Sequence, residues 1–384
     1  MLRPDVKPLN VNFSSGPCSK RSNWKIENLR HATLGRSHRA DVAKNKLQKL
    51  IQLTKEVLKL PSDYLVGIVP GSDTGAVEMA MWNALGPKNV SILVWESFGK
   101  DWQKDLSEQL KIKNLKIISE DYGKLPSLSS LNFDHDIIFN WNGTTSGVCV
   151  PNAEWIDGDR SGITICDLTS AAFAMNIDWK KIDFGTFSWQ KCLGGEGGHG
   201  MIVLSPRAVK RINSFVPTWP IPKLLNLRRD RKINLDIFKG STINTPSMLC
   251  VEDFIDSLAW AKSIGGLDEL INRSLQNLEQ IRVWVRETPW INFLSEESDS
   301  ISSTSICLKF SKENLKNPSL EYQEKLEKYM TSLLDQENIA YDLGSYRSAP
   351  PGIRIWGGPT VETSDIKLLL PWLTWAYQKA IKNL

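Results

Sequence analysis

Asp183-Phe184-Gly185-Thr186-Phe187-Ser188-Trp189-Gln190-Lys191-Cys192-Leu193-Gly194-Gly195 reads as a short apolar strand that delivers a lysine just ahead of a glycine-rich turn. A primary amine presented in this way can store an aldehyde as a Schiff base, which an incoming amino group then displaces. Upstream, Ile163-Thr164-Ile165-Cys166-Asp167 places a carboxylate at another strand end. Such a carboxylate can pair with a protonated ring nitrogen and keep an aromatic ring electron-poor. A lysine after a strand is usually only a surface lysine, so this reading depends on its neighbours in the chain.

Working outward, strand-like runs recur with helix-length segments between them. They are Tyr64 to Val69, Val90 to Val94, Leu115 to Ser119, Asp136 to Asn140, Ile163 to Cys166, Phe184 to Ser188 and Gly200 to Leu204. That alternation predicts one large α/β domain with a mainly parallel mixed sheet flanked by helices. Several strand ends carry small or polar turns. Pro70-Gly71-Ser72-Asp73-Thr74-Gly75 leads into a helix over Ala76 to Leu85, and its backbone amides suit a phosphate. It is neither a Walker A loop nor a GxGxxG fingerprint. Phe98 follows the second strand, where an aromatic can stack on a planar ligand or simply pack the core. Trp141-Asn142-Gly143-Thr144-Thr145-Ser146-Gly147 is a polar turn where α/β sheets gather their ligand-binding groups.

The flanking regions are less regular. Residues 1–16 read as an extended N-terminal segment, 17–260 as the large domain, and 261–384 as a smaller C-terminal α/β domain. Gly35-Arg36-Ser37-His38-Arg39 precedes a helix over Val42 to Leu58 and offers cations to an anion, or only a basic helix start. Residues 217 to 239 carry three prolines and a basic run, which fits an active-site flap or a dimer contact. Gly265-Gly266 is expected to split the amphipathic stretch Met248 to Thr288 into two helices. Beyond it, strands are expected over Ser303 to Phe310, Ile339 to Asp342 and Gly352 to Trp356, with a helix over Ser319 to Leu334 between them. Thr363-Ser364-Asp365 is expected to cap a last helix with an irregularity near Pro371. Arg347 and Arg354 add two further cations.

Composition narrows the function classes. The chain has 384 residues, 41% of them hydrophobic, enough for a sizeable core. A net charge of +4, from 47 basic and 43 acidic residues, gives no reason to expect nucleic acid. The four histidines are scattered and the six cysteines unpaired in spacing, so no metal site is expected. No signal core stands at the N-terminus, and Leu368 to Trp375 is too short to span a bilayer. These features suggest a reduced, cytoplasmic enzyme with no membrane segment.

Taken together, the chain resembles the fold-type I pyridoxal-phosphate-dependent aminotransferases of class V, and within them the phosphoserine aminotransferases. The resemblance rests on Asn12-Phe13-Ser14-Ser15-Gly16-Pro17, Ser37-His38-Arg39, Asp167, Ser188-Trp189-Gln190-Lys191 and Asn244-Thr245-Pro246, in that order. It implies pyridoxal phosphate bound through Lys191, with Asp167 against the pyridine nitrogen. It further implies Phe98 stacked on the ring and Thr144 beside its phenolic oxygen. Ser72, Asp73 and Gln190 would approach the phosphate, with Asn244 and Thr245 reaching it from a second subunit of a homodimer that shares its active sites. Arg39 and Arg354 would bind substrate anions, with His38 and Arg347 as further candidates. The implied reaction is reversible amino transfer between O-phospho-L-serine and 2-oxoglutarate, both small anionic substrates, by a ping-pong cycle. Two residues depart from the better-known members: Phe98 stands where they have tryptophan, and Asp73 where they have arginine. A carboxylate beside a phosphate repels it, so the Asp73 side chain is expected to point away or to be offset by a helix N-terminus and nearby cations. Three other readings stay open: an alanine– or serine–glyoxylate aminotransferase, a cysteine desulfurase, and a non-catalytic protein that binds pyridoxal phosphate.

Overall fold

The computed structural model describes residues 2–384. Its largest element is a seven-stranded sheet built from β1 (Leu65–Pro70), β2 (Val90–Val94), β3 (Leu115–Ser119), β4 (Asp136–Asn140), β7 (Thr164–Asp167), β8 (Phe184–Ser188) and β9 (His199–Leu204). The spatial order is β1-β9-β8-β7-β4-β2-β3. β9 runs antiparallel to both of its neighbours, and every other pairing in the sheet is parallel. The expected mainly parallel mixed sheet is therefore present.

Its central strands are buried along their whole length, because helices cover both faces. On one face, Leu47 and Leu50 of α1 (Asp41–Val57) and Val251 and Phe254 of α5 (Met248–Ser263) pack against Leu93, Phe139 and Phe187. On the other, Val77 and Ala80 of α2 (Ser72–Ala84), Trp102 of α3 (Ser97–Lys104) and Ile212 of α4 (Pro206–Ser214) meet Ile92, Ile165 and Ile202. Two short hairpins complete this part, β5 (Asn142–Gly143) with β6 (Val148–Cys149), and β10 (Arg228–Arg229) with β11 (Lys232–Ile233).

Toward the C-terminus, α6 (Leu267–Arg286) follows the expected Gly265-Gly266 break. The antiparallel strands β12 (Ile291–Phe293), β13 (Ser305–Phe310) and β14 (Gly352–Trp356) pack with α7 (Leu320–Gln336) and α8 (Thr363–Asn383). Trp290 and Tyr377 stack at 4.0 Å between these layers. The N-terminal segment is tied to this region. Val6 and Phe13 accept hydrogen bonds from Trp372 Nε1 (2.8 Å) and the Trp356 amide (3.0 Å). The Leu9 amide donates to Asp365 Oδ1 at 2.7 Å.

Three local expectations need correction. Ile339 to Asp342 is not a strand: the Tyr341 amide bonds Val11 instead, forming an isolated bridge, and Asp342 turns away with φ of 57°. α8 passes through Pro371 without a break, and no side chain caps its start, since the Thr363 hydroxyl donates to Asn277 Oδ1 at 2.7 Å. Residues 217 to 239 do not cover the strand ends as a flap. Arg228 fixes them to the far end of α2, donating to Asn83 Oδ1 (2.7 Å) and to the Asn83 and Phe215 carbonyls (2.8 and 2.7 Å).

Candidate active site

Parallel strands all point their carboxyl ends to one edge of the sheet, so the residues that follow them converge there. β1 leads to Ser72, β2 to Glu96, β4 ends at Asn140, β7 at Asp167, and β8 runs through Ser188 to Lys191. Between these ends lies a cavity of about 340 Å³. Eight of the thirteen residues named as site candidates line it: Ser72, Asp73, Phe98, Thr144, Asp167, Gln190, Lys191 and, from β14, Arg354.

Lys191 is held from behind. Trp189 is stacked between His199 at 4.5 Å and Phe254 at 5.0 Å, while the Cys18 amide donates to the Gln190 carbonyl at 2.8 Å. The buried lysine Nζ donates to the Ser15 carbonyl. A Cβ on Gly16 would stand 2.6 Å from that nitrogen and displace it, and the φ of 151° at this position also favours glycine. Burial pushes the Lys191 ammonium below its ordinary pKa; the Cys18 thiol opposes that, the Arg354 charge adds to it, and Asp167 opposes it.

At the cavity floor, Asp167 accepts the Thr169 amide on Oδ1 at 2.9 Å and Asn140 Nδ2 on Oδ2 at 3.3 Å. Asn140 Nδ2 also donates to Glu96 Oε1 at 3.2 Å. Glu96 takes further bonds from the Gly99 amide (2.8 Å) and the Thr145 hydroxyl (2.8 Å), yet burial still raises its pKa to about 7. Asp73, from the first turn of α2, also lines the cavity, and Asp167, Thr186 and Thr169 act on its side chain. Burial, followed by the Asp167 charge, raises its pKa well above the ordinary carboxylate range.

One end of the cavity is the N-terminus of α2, whose unpaired amides and dipole favour an anion. Gln190 Nε2 donates to Ser72 Oγ there at 3.1 Å. A Cβ on Gly75 would lie 2.2 Å from the Pro70 carbonyl, so this turn can close only with glycine. The opposite end is aromatic and cationic. Phe98 stacks on Tyr346 at 5.7 Å, and the Arg354 guanidinium lies 5.4 Å from the same Tyr346 ring with its Nε buried and unpartnered. Thr144 Oγ1 donates to Ser170 Oγ at 2.9 Å on the wall between.

The donor set fits pyridoxal phosphate: an anion end, an aromatic wall, a floor carboxylate and a buried amine share one space. His38, Arg39, Asn244 and Thr245 lie outside the cavity of a single chain; Arg39, Asn244 and Thr245 are exposed and His38 is half-buried. Arg347 is also exposed, against the outer side of Tyr346 at 5.0 Å. Tyr346, Trp102, Ser15 and Gly16 line the cavity without having been singled out as site residues. Ser15 and Gly16 lie in the Asn12 to Pro17 stretch and Tyr346 stands next to Arg347, so each had a signal, whereas Trp102 had none.

Set against models of protein families, the chain matches none. Against solved structures it superposes on pyridoxamine–pyruvate aminotransferase from Mesorhizobium loti with a TM-score of 0.80 at 15% identity, covering 99% of this chain and 95% of that one. A pyridoxal-phosphate-bound phosphoserine aminotransferase from Trichomonas vaginalis matches with a TM-score of 0.74 at 15% identity, over 95% and 99% of the two chains. At such identities these structures speak for the fold alone. The sequence itself is 50% identical over 376 residues to the phosphoserine aminotransferase of Methanosarcina mazei, spanning 98% of this chain and 99% of the relative. With half of its residues shared along practically the whole length, the chain belongs to the phosphoserine aminotransferase family.

Proposed function

We propose that this protein transfers the amino group between O-phospho-L-serine and 2-oxoglutarate, in either direction, with pyridoxal phosphate seated in the cavity at the strand ends. The observation that carries this reading is the convergence of Lys191 and Asp167 on one enclosed space, with Arg354 facing them. When bound, the cofactor supplies an electron sink for the charge left at the substrate's Cα. The protein's own residues supply the rest. Asp167, oriented by its two donors, is placed to stabilise a cation on the floor. Lys191, with its proton affinity lowered by burial, can hold a neutral amine and then accept and return a proton at Nζ. The Ser15 carbonyl gives that amine a resting partner. The N-terminus of α2, with Ser72 and Gln190, anchors a phosphate, and the Phe98 ring supports a planar group. Arg354, whose Nε has no partner, offers a fork for a substrate carboxylate.

His38, Arg39 and Arg347 are proposed for the substrate's second anion, and Asn244 and Thr245 for the phosphate of a neighbouring subunit's cofactor. Their exposure on one chain accords with a homodimer that shares its active sites. No helix among the described residues is long and apolar enough to cross a membrane. All six cysteines are free, which accords with the reducing conditions of the cytoplasm.

A second reading is an alanine–glyoxylate type of transaminase. It draws on the single arginine, Arg354, that lines the cavity in one chain. Paired half-reactions separate the two. Glutamate should convert the bound cofactor to its amine form, and phosphohydroxypyruvate should restore it. Restoration by glyoxylate or pyruvate but not by phosphohydroxypyruvate would establish the second reading instead.

A further inference from the structure

Asp167 is held at both of its oxygens. Oδ1 accepts the Thr169 amide at 2.9 Å, and Oδ2 accepts Asn140 Nδ2 at 3.3 Å. The Thr169 amide belongs to the backbone, whereas a side-chain amide can present either of its two ends. What turns the Asn140 amide is Glu96, whose Oε1 accepts from the same Nδ2 at 3.2 Å. That nitrogen carries two hydrogens, enough for one on each carboxyl group. A reversed amide would set its carbonyl against two oxygens and lose both bonds.

Glu96 is fixed in its turn. Its Oε1 also accepts the Gly99 amide at 2.8 Å, capping α3, and its Oε2 accepts the Thr145 hydroxyl at 2.8 Å. A pKa of about 7 leaves the arrangement intact, because a proton on Oε2 leaves Oε1 free to accept. Glu96 is 1% exposed and Asn140 3%, and neither lines the cavity, so whatever they do for a ligand passes through Asp167. The sheet sets up this line of contacts. Asn140 ends β4 directly across from Asp167 of β7, and Glu96 follows β2, the strand on the other side of β4. Burying an amide and a carboxyl group costs stability that an apolar pair would not, and here the contacts lead to a residue of the cavity floor.

We propose that Glu96 and Asn140 are positioning residues: Glu96 orients the Asn140 amide, and that amide fixes the Asp167 carboxyl group toward the ring nitrogen of the cofactor. The proposal rests on the reading of the cavity as a pyridoxal phosphate site. Glu96 has a second hold on the site, since the helix it caps carries Phe98. That hold acts on the face of a bound ring whatever atom stands at the nitrogen position, so the two effects are separable.

Equilibrium dialysis of the full-length protein, stripped of cofactor, separates them with two probes. One is pyridoxal phosphate and the other its 1-deaza analogue, in which carbon replaces the ring nitrogen. The native protein should retain pyridoxal phosphate roughly tenfold more tightly, the scale of a hydrogen bond to a charged group. Asn140→Leu should lower that ratio about fivefold by releasing one oxygen of Asp167. Glu96→Ala should weaken both probes and lower the ratio as well, whereas Glu96→Gln keeps an acceptor for Asn140 and should hold it within about twofold of native. Added to Asn140→Leu, Glu96→Ala should move the ratio less than about twofold, because its route to Asp167 is already cut. Equal losses of both probes in Asn140→Leu would make the pair merely structural and overturn the proposal, as would an additive fall in the double variant. Should Asn140→Leu fail to fold, Asn140→Ser, too short to reach both carboxyl groups, stands in with the same expected fall. A native protein that holds neither probe refutes the proposed function itself. One that holds both equally spares that function and removes the proposal.

Discussion

Lys191 meets two opposed demands, since a buried amine should be neutral to act as a base yet must keep contact with its Ser15 partner. Replacing it with alanine should lower turnover by about 10²–10⁴-fold and abolish borohydride trapping of the cofactor, a loss checked by reduction and mass spectrometry. In cofactor-free protein its lowered pKa also has a thermodynamic sign. Between the lowered native value and the ordinary lysine value, the unfolded chain binds the extra proton, so stability rises with pH through that window. Glu96 has the opposite sign. Its native value of about 7 lies above that of an unfolded glutamate, so the native state holds the extra proton from about pH 4.3 upward. Glu96→Gln, which gives up one acceptor for Gly99 and Thr145, should be less stable than the native protein at pH 5. That gap should narrow by on the order of 2 kcal/mol by pH 8, as thermal melts across that range would show. Lys191 was legible in the sequence, but the Glu96 contacts were not. Glu96 and Asn140 look like ordinary polar residues at strand ends, and only the parallel register of β2, β4 and β7 brings them against Asp167.

At the scale of elements, the strand ends were legible and the loops were not. The alternation of apolar runs and helix-length spacers specifies the seven strands nearly to the residue, because all but the exposed edge strand β3 carry a long buried run and so a simple signature. The first turn of α2 depends on a close contact. Gly75→Ala would push a methyl group onto the Pro70 carbonyl, 2.2 Å away, and should cost about 1–3 kcal/mol in stability while loosening cofactor retention. Denaturant unfolding and dialysis would measure both effects. The loop before β14 was unreadable because its anchor lies on another element. Glu327 of α7 accepts from the Ser345 amide (3.0 Å), the Ser345 hydroxyl (2.8 Å) and the Gly352 amide (2.8 Å), clasping the two ends of the loop that presents Tyr346 and Arg347. Glu327→Ala should therefore raise KM for both acidic substrates by roughly tenfold while kcat stays within about threefold, if the loop it holds serves substrate binding as proposed and takes no part in the proton transfer at Lys191. Steady-state kinetics with each substrate would read this split.

Across the whole molecule, the N-terminal segment joins parts of the chain that are farthest apart in sequence. Sequence alone suggested only an extended segment, because its partners, Trp372, Asp365 and Trp356, come some 350 residues later. Deleting residues 2–9 removes the bonds of Val6 and Leu9 and should cost about 2 kcal/mol, seen as a lower denaturant midpoint with an unchanged fold by circular dichroism. Pyridoxal phosphate should still bind, because Ser15, Gly16 and Pro17 remain in place. The same segment runs on from Phe13, bonded to Trp356, to Ser15 at the lysine amine and to Cys18 at the Gln190 carbonyl. It is a tether with one end on the C-terminal sheet and the other on the reactive nitrogen. A shift of that sheet toward an arriving substrate must pull or slacken the tether, so capture at one wall and unlatching of the amine at the other are mechanically a single stroke.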